Sequence, residues 1–79
     1  MVRAFQYGNY SVFVFDERGA PHHRPHAHIK LRGRRIASVF LETLEVFIAN
    51  DELPEGLRDQ LRTEQDRMIE LWGELNNVE

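Results

Sequence analysis

All four histidines of this chain lie in residues 21–35, PHHRPHAHIKLRGRR, together with five of its ten Lys and Arg residues. An imidazole can bind a metal ion, and it can accept or donate a proton near neutral pH. Cations beside it would stabilise negative charge on a bound or reacting group. The segment therefore indicates either a site for an anionic ligand or a well-solvated strand.

Residues 26–32 alternate between polar and apolar side chains, the pattern of a β-strand with one face in the core. The outward set is His26, His28, Lys30 and Arg32, and the inward set is Ala27, Ile29 and Leu31. Because successive side chains of a strand point to opposite faces, burial of the apolar set leaves the imidazoles and cations together on the other face. We therefore expect the two imidazoles to project side by side from the outward face.

Further strand patterns surround this one in the front half of the chain. The predicted strands are residues 2–6, 10–15, 26–32 and 36–41, with a weaker pattern at 44–49 that would also fit one helical turn. Tight turns are expected at Gly8-Asn9 and at Gly33-Arg34. The connections are too short for crossover helices, so we expect antiparallel pairing.

The back of the chain predicts one long amphipathic helix. Pro54 suits the first turn of a helix, and Glu55 opposes the positive charge of the helix start. The apolar residues that follow form one stripe: Leu57, Leu61, Met68, Leu71, Trp72 and Leu75. We expect a helix of about 22 residues whose stripe, Trp72 included, packs on one face of the sheet. The predicted fold is α+β, a small antiparallel sheet of three to four strands followed by this helix.

Length and composition limit the class of protein. A chain of 79 residues makes a single domain, residues 1–79, because two domains would leave neither with a core. Charged residues make up 29% of the chain and no run approaches the ~20 apolar residues of a membrane span, so we expect no membrane contact. The chain starts without the apolar run of a signal peptide and contains no cysteine, which favours a cytoplasmic protein. So small a core also favours association, as a homodimer or with a partner protein.

The net charge of -3 conceals two oppositely charged halves. Residues 1–41 hold seven Lys and Arg against two carboxylates, a charge of +5, whereas residues 42–79 hold three Arg against eleven carboxylates, a charge of -8. In one interpretation the two halves simply attract one another. In the other, the basic half meets an anionic partner such as RNA, DNA or an acidic protein.

The order of these motifs resembles a family of short bacterial and archaeal proteins, domain-of-unknown-function family 4160. The matching segments are residues 10–15, Pro-His-Ala-His-Ile at 25–29, Gly33, residues 37–41 and Leu-Trp at 71–72. The resemblance therefore covers nearly the whole chain. The loop before the Pro-His-x-His motif is longer than in the family, and its extra histidines, His22 and His23, inherit no family role.

What the resemblance implies is a genetic context rather than a reaction. Genes of this family often lie beside a second small gene, in an arrangement that looks like a toxin–antitoxin pair. A member is accordingly expected to be one component of such a two-gene system, with a cognate small protein from the adjacent gene as its partner. No established reaction can be carried over from the family to this chain.

The residues themselves leave three interpretations of the histidine segment open. In the first, the basic, His-containing strand face binds an anionic partner, either an acidic protein or RNA. The cations assigned to anion binding are Arg24, Lys30, Arg32, Arg34 and Arg35, and the aromatic residues that would stack on a base if exposed are Tyr7, Tyr10 and Phe13. In the second, the protein is a metal-independent ribonuclease in which His26 and His28 act as general base and general acid on either side of a phosphate.

The third interpretation is a metal site. The His-x-His pair of His26 and His28 would supply two ligands, and a third would come from His22, His23, Asp16 or Glu17. No other cofactor is expected, and the sequence leaves open whether the protein is an enzyme. A plainer interpretation of His26 is a hydrogen bond to a backbone carbonyl at a strand end.

Overall fold

A computed structural model describes residues 2–15, 24–47, 49 and 52–76 of the chain. In these residues five antiparallel strands form one sheet, neighbours in the sheet being neighbours in the sequence, and one long helix follows. The strands are β1 (Val2–Tyr7), β2 (Tyr10–Val14), β3 (His26–Leu31), β4 (Arg34–Phe40) and β5 (Val46–Phe47), and the helix is α1 (Glu55–Asn76). The predicted α+β arrangement is confirmed. The sheet has one strand more than the three to four expected, because the weak pattern at 44–49 yields the two paired residues of β5.

The core lies between α1 and one face of the sheet. The strand residues fully withdrawn from solvent are Val12, Val14, Ala27, Ile29, Ala37 and Val39. Leu57, Leu61, Met68 and Trp72 of the helix complete this core, and Leu71 and Leu75 pack against it half-buried. The predicted helical stripe is therefore confirmed, with Trp72 as a core residue.

Polar side chains of α1 fix the helix on that face. Gln65 donates to the Leu41 carbonyl at 2.7 Å, Asn76 donates to the Phe15 carbonyl at 3.2 Å, and Arg67 donates to the Ala4 carbonyl. These bonds reach the middle of β1 and the residues that directly follow β2 and β4, so they set both the position and the direction of the helix. Nowhere in the described part of the chain is a helix both long enough and apolar enough to cross a membrane.

Two tight turns lie together at one end of the sheet. Gly8 and Asn9 join β1 to β2 with Gly8 at φ 57°, and the turn is where it was predicted. Arg32 and Gly33 join β3 to β4, both with positive φ (53° and 83°), one residue earlier than predicted. Two-residue hairpin turns that follow the twist of the strands need positive φ, which glycine adopts without strain. Arg32 therefore leaves the strand, and its N–H donates to the Asn9 carbonyl at 3.1 Å.

A bulge and a left-handed residue shape β4 and its return. Ile36 falls at a bulge in the pairing of β3 with β4, and Ile36 and Ala37 are both buried, which breaks the predicted alternation of this strand. Beyond the other end of β4, Leu44 has a φ of 60°, a conformation that costs a residue with a Cβ about 1–2 kcal/mol. Its N–H donates to the Phe40 carbonyl at 2.7 Å. This turn brings Phe47 back alongside β4.

Candidate functional site

The outward face of the sheet is built from the residues that alternate with the core positions. Phe13 is paired with His28 on the neighbouring strand. The pairing continues across β4 to Phe47, so the three residues lie in one row across the sheet. One step along the strands, His26 is opposite Phe40. Paired residues of neighbouring strands point to the same side of a sheet. These side chains therefore form adjacent rows on the face that α1 does not cover.

Six aromatic rings on this side make an unbroken series of contacts, hereafter the ring face. In order of contact they are Phe13, Phe15, His28, His26, Phe47 and Phe40. Successive ring centroids are 6.4, 4.4, 5.4, 6.1 and 4.2 Å apart, and all six residues are half-buried. Aromatic pairs at such distances contribute about 0.5–1.5 kcal/mol each beyond the area they bury. The rings therefore position one another, while each keeps part of its surface accessible.

The two imidazoles of the sequence motif lie at the centre of the ring face. The ring centroids of His26 and His28 are 5.4 Å apart, with 32° between the ring planes. Ala27 and Ile29, the residues that alternate with them, have no exposed surface. The predicted side-by-side arrangement opposite an apolar set is therefore what the structure contains. The chemical role of the pair stays a prediction.

His26 also fixes the chain just before β3. Its Nδ1 lies 2.9 Å from the carbonyl oxygen of Arg24, and because a carbonyl can only accept, Nδ1 carries the proton in this contact. The Leu41 N–H donates to the Pro25 carbonyl at 2.9 Å, which extends the pairing with β4 to the residue before β3. The plainer interpretation of His26, a hydrogen bond to a carbonyl at the strand start, is confirmed. The two bonds hold the backbone of Arg24 close to β4.

Two cations of the described part of the chain lie on the ring face. The Nζ of Lys30 is 5.0 Å from the Phe13 centroid, and the guanidinium carbon of Arg24 is 3.7 Å from the Phe40 centroid. Both are within the ~6 Å at which a cation is attracted to a ring. Phe47 is stacked on Phe40, with centroids 4.2 Å apart and 16° between the planes. Two groups this close to one centroid would overlap if they shared a side, so the Phe40 ring lies between Arg24 and Phe47.

A groove of about 400 Å³ lies beside this three-layer stack. It is lined by Arg24, His26, Phe40 and Phe47. The volume is in the range of small-molecule sites, which are usually apolar pockets with a few polar groups at fixed positions. Three aromatic rings and one guanidinium give this groove flat walls and a positive charge. Such a surface suits a ligand that is itself planar and anionic.

The other predicted cations lie apart from the imidazoles, at the β3–β4 hairpin. Arg32, Arg34 and Arg35 are exposed there and form what is hereafter the basic tip. Arg34 pairs with Leu31 and Arg35 with Lys30. The prediction that Arg32 shares the outward strand face with the histidines is wrong, because Arg32 occupies the turn. The predicted anion-binding cations thus divide between the ring face and the basic tip.

For the metal interpretation, the described residues supply two ligands but no third. Across residues 2–15, 24–47, 49 and 52–76, no group of three or more His, Cys, Asp or Glu side chains could hold a metal ion. The third ligands that the sequence offered, His22, His23, Asp16 and Glu17, lie outside the described residues. His26 and His28 by themselves do not make the closed set of four ligands of a structural zinc site.

Of the three aromatic residues expected to stack on a base, only Phe13 lies on the ring face. Tyr10 packs against the core, and the Tyr7 ring lies against α1, where a side chain at Gly56 would overlap it. The phenylalanines that sequence reasoning missed are Phe15, Phe40 and Phe47. The first two have the outward parity of their predicted strands, so alternation was a usable signal. The third depends on the turn after β4, which the sequence pattern left ambiguous.

Comparison with known proteins finds no relative: no family model, no curated protein and no solved structure matches the chain. Membership of family 4160 therefore stays a prediction from the Pro-His-x-His motif and the order of elements.

Proposed function

We propose that the ring face binds single-stranded nucleic acid, with RNA as the expected form. The observation that carries this proposal is the series of six half-buried rings with two cations lying on it. Proteins that bind single strands stack successive bases on aromatic side chains and hold the backbone with positive charge. Both components are present on one surface, at contact distance from each other.

The flat rings of this surface favour unpaired bases, rather than a duplex, as the ligand. In a duplex each base face is covered by the next base, so a ring on a sheet can stack only on a base that is splayed out. Other sheet-based RNA-binding modules use aromatic side chains on their strands in this way, for two or three bases each. Phe13 and His28, paired on neighbouring strands, offer such a platform beside Lys30.

The charges of the two layers give a nucleic acid only one favourable side. The exposed acidic residues of α1 are Glu55, Asp59, Asp66, Glu70 and Glu74. On the same helix, Arg62 and Arg67 form ion pairs with carboxylates three residues away. A polyanion is therefore repelled from the helix layer and attracted to the sheet layer. There the basic tip is available for phosphates beyond the rings.

The family resemblance supplies a cellular context for this activity. In a two-gene system of the toxin–antitoxin type, the cognate small protein would cover the ring face and compete with RNA for Arg24 and Lys30. We expect the protein to coelute with the product of the adjacent gene, and RNA binding to be lost in that complex. Coelution that leaves RNA binding intact would separate the partner's binding site from the ring face.

Ribonuclease activity is a second candidate function, favoured by the 5.4 Å between the His26 and His28 rings. One imidazole would take the proton of a 2′-hydroxyl as its oxygen attacks phosphorus, and the other would protonate the departing 5′-oxygen, leaving a 2′,3′-cyclic phosphate. Lys30 and Arg24 would stabilise the charge that develops on the phosphate oxygens. The Nδ1 of His26 already donates to a carbonyl, so proton transfer by this residue has to use Nε2.

Fluorescence anisotropy with one labelled oligonucleotide in three forms tests the binding proposal. The forms are single-stranded RNA, single-stranded DNA of the same sequence, and the duplex, each about 12 nucleotides long to cover the site sizes of single-strand binders. We expect the single strands to bind more tightly than the duplex. We also expect Lys30→Ala to lower the slope of log affinity against log salt by about 0.7, the value of one lost phosphate contact.

Arg58→Ala is the matched control, because Arg58 is an exposed cation on the helix layer. Equal effects of the two substitutions, or equal affinity for duplex and single strands, would contradict the proposal. Gel analysis of the RNA from the same mixtures decides the second candidate. RNA that stays intact rejects a ribonuclease, whereas cleavage that disappears in both His26→Ala and His28→Ala, but not in Arg58→Ala, supports it.

A further inference from the structure

The groove beside the Arg24–Phe40–Phe47 stack differs from the rest of the ring face because it is a concavity. It has a volume of about 400 Å³ with aromatic walls from His26, Phe40 and Phe47. The nearest acidic residues in the sequence, Glu42 and Glu45, belong to the turn between β4 and β5, and neither lines the groove. A ligand that enters therefore meets flat apolar surfaces and a cation.

The position of Arg24 gives the groove directed hydrogen-bond donors. The guanidinium lies on the Phe40 ring, 3.7 Å from its centroid, so its plane is covered on one side by that ring. The N–H donors of a guanidinium lie in its own plane and form a fork that matches a phosphate or a carboxylate with two parallel bonds. Stacking on Phe40 therefore leaves the donors pointing along the ring surface rather than into it.

The backbone that carries Arg24 is held as well. The Nδ1 of His26 donates to the Arg24 carbonyl, and the Leu41 N–H donates to the next carbonyl, that of Pro25. His26 thus has two roles: its ring forms one wall of the groove, and its hydrogen bond fixes the start of β3. A cation whose backbone and head group are both placed loses less freedom when it binds an anion than a freely moving one does.

We infer that this groove holds one nucleotide unit of the bound strand, with the phosphate on the fork of Arg24 and the base against the Phe47 ring, on the face turned away from Phe40. The inference rests on the proposed binding of nucleic acid by the ring face and names a subsite within it. Charge selects the phosphate, because Arg24 is the cation among the described residues that line the groove. The flat aromatic walls select the planar base.

A purely structural role for Arg24 makes a different prediction. If the guanidinium only shields Phe40 from solvent, a lysine would cover the ring nearly as well, since an ammonium is attracted to a ring face too. A phosphate fork and a planar stacking surface, by contrast, are lost in lysine. Arg24→Lys therefore distinguishes a ligand-binding residue from a shield while it leaves the net charge unchanged.

Isothermal titration calorimetry with adenosine 5′-monophosphate, adenosine and inorganic phosphate tests the subsite. We expect the nucleotide to bind, and adenosine and phosphate each to bind about tenfold more weakly, because each keeps only half of the contacts. Arg24→Lys should weaken nucleotide binding by about tenfold, whereas Arg58→Lys, the same change at an exposed position of the helix layer, should have no effect. Phe47→Leu keeps an apolar wall but removes a ring. It should weaken the binding of adenosine and of the nucleotide but leave the binding of phosphate unchanged.

The outcomes separate this inference from the function on which it rests. If the single-stranded oligonucleotide binds and the mononucleotide does not, or if Arg24→Lys and Arg58→Lys behave alike, the subsite is overturned and the function of the ring face stands. If neither the oligonucleotide nor the mononucleotide binds, both the subsite and the proposed function of the ring face are wrong. Thermal unfolding of each variant, followed by circular dichroism, establishes that lost binding does not come from lost folding.

Discussion

The two faces of this sheet are made by alternate residues of the same strands, yet their side chains are buried in different ways. On the inner face, Val12, Val14 and Ile29 are aliphatic and have no exposed surface, because α1 packs directly on them. On the outer face, their sequence neighbours Phe13 and His28 are aromatic and half-buried, and they contact other rings of the same face. The inner face depends on the helix for its burial, whereas the outer face largely packs against itself.

That difference explains why the outer face suits a ligand. A closely packed core of branched aliphatic side chains has no unoccupied surface to offer, and any change in its volume is felt as lost stability. Half-buried rings on the open side of a sheet keep accessible surface, which a base can stack on without rearranging the core. Stability and binding are therefore assigned to opposite sides of the same six-residue strand, β3.

The sharpest test of this division compares neighbours on β3. Ile29→Ala should lower the free energy of unfolding by about 2–5 kcal/mol, because it removes a fully buried side chain beneath the helix. His28→Ala, one residue away on the other face, should cost less, about 1 kcal/mol, because it loses two contacts between partly exposed rings, each at the lower end of the usual value. Urea unfolding followed by circular dichroism measures both. Equal costs would show that the ring face is a second structural core, and would remove the reason to assign binding to it.

The next test asks whether the rings act on a ligand. Phe13→Ala should weaken the binding of single-stranded RNA by about 1–3 kcal/mol, the usual value of one base stacked on an aromatic side chain. Ser11→Ala is the matched control, because Ser11 has the same parity as Phe13 on β2 but contributes no ring. Anisotropy titrations of the two variants compare them directly. If both bind RNA as the unchanged protein does, bases do not stack at Phe13.

Alternation and the helical stripe made both faces predictable, but not the contacts within the outer one. The inward position of Ile29 and the outward position of His28 follow from period two, and the packing of Trp72 follows from period 3.6. Which rings meet depends on the register of separate strands, and register follows from turns and bulges rather than from pattern. The bulge at Ile36 sets where Arg35 pairs on β3, and the turn with the left-handed Leu44 brings Phe47 to Phe40; neither was visible in the alternation.

The smallest predicted effect comes from the turn that separates the ring face from the basic tip. Arg32 was expected on the strand but adopts a φ of 53° before Gly33, in a two-residue hairpin turn where asparagine is the preferred first residue. Arg32→Asn should therefore raise the free energy of unfolding by about 0.5 kcal/mol, since a left-handed conformation costs asparagine less than arginine. Gly33→Ala should act in the opposite direction, because its φ of 83° disfavours any side chain. A thermal unfolding midpoint that rises in Arg32→Asn while adenosine 5′-monophosphate binds unchanged would place the tip outside the nucleotide subsite, whereas weaker nucleotide binding would extend the subsite across the whole of β3.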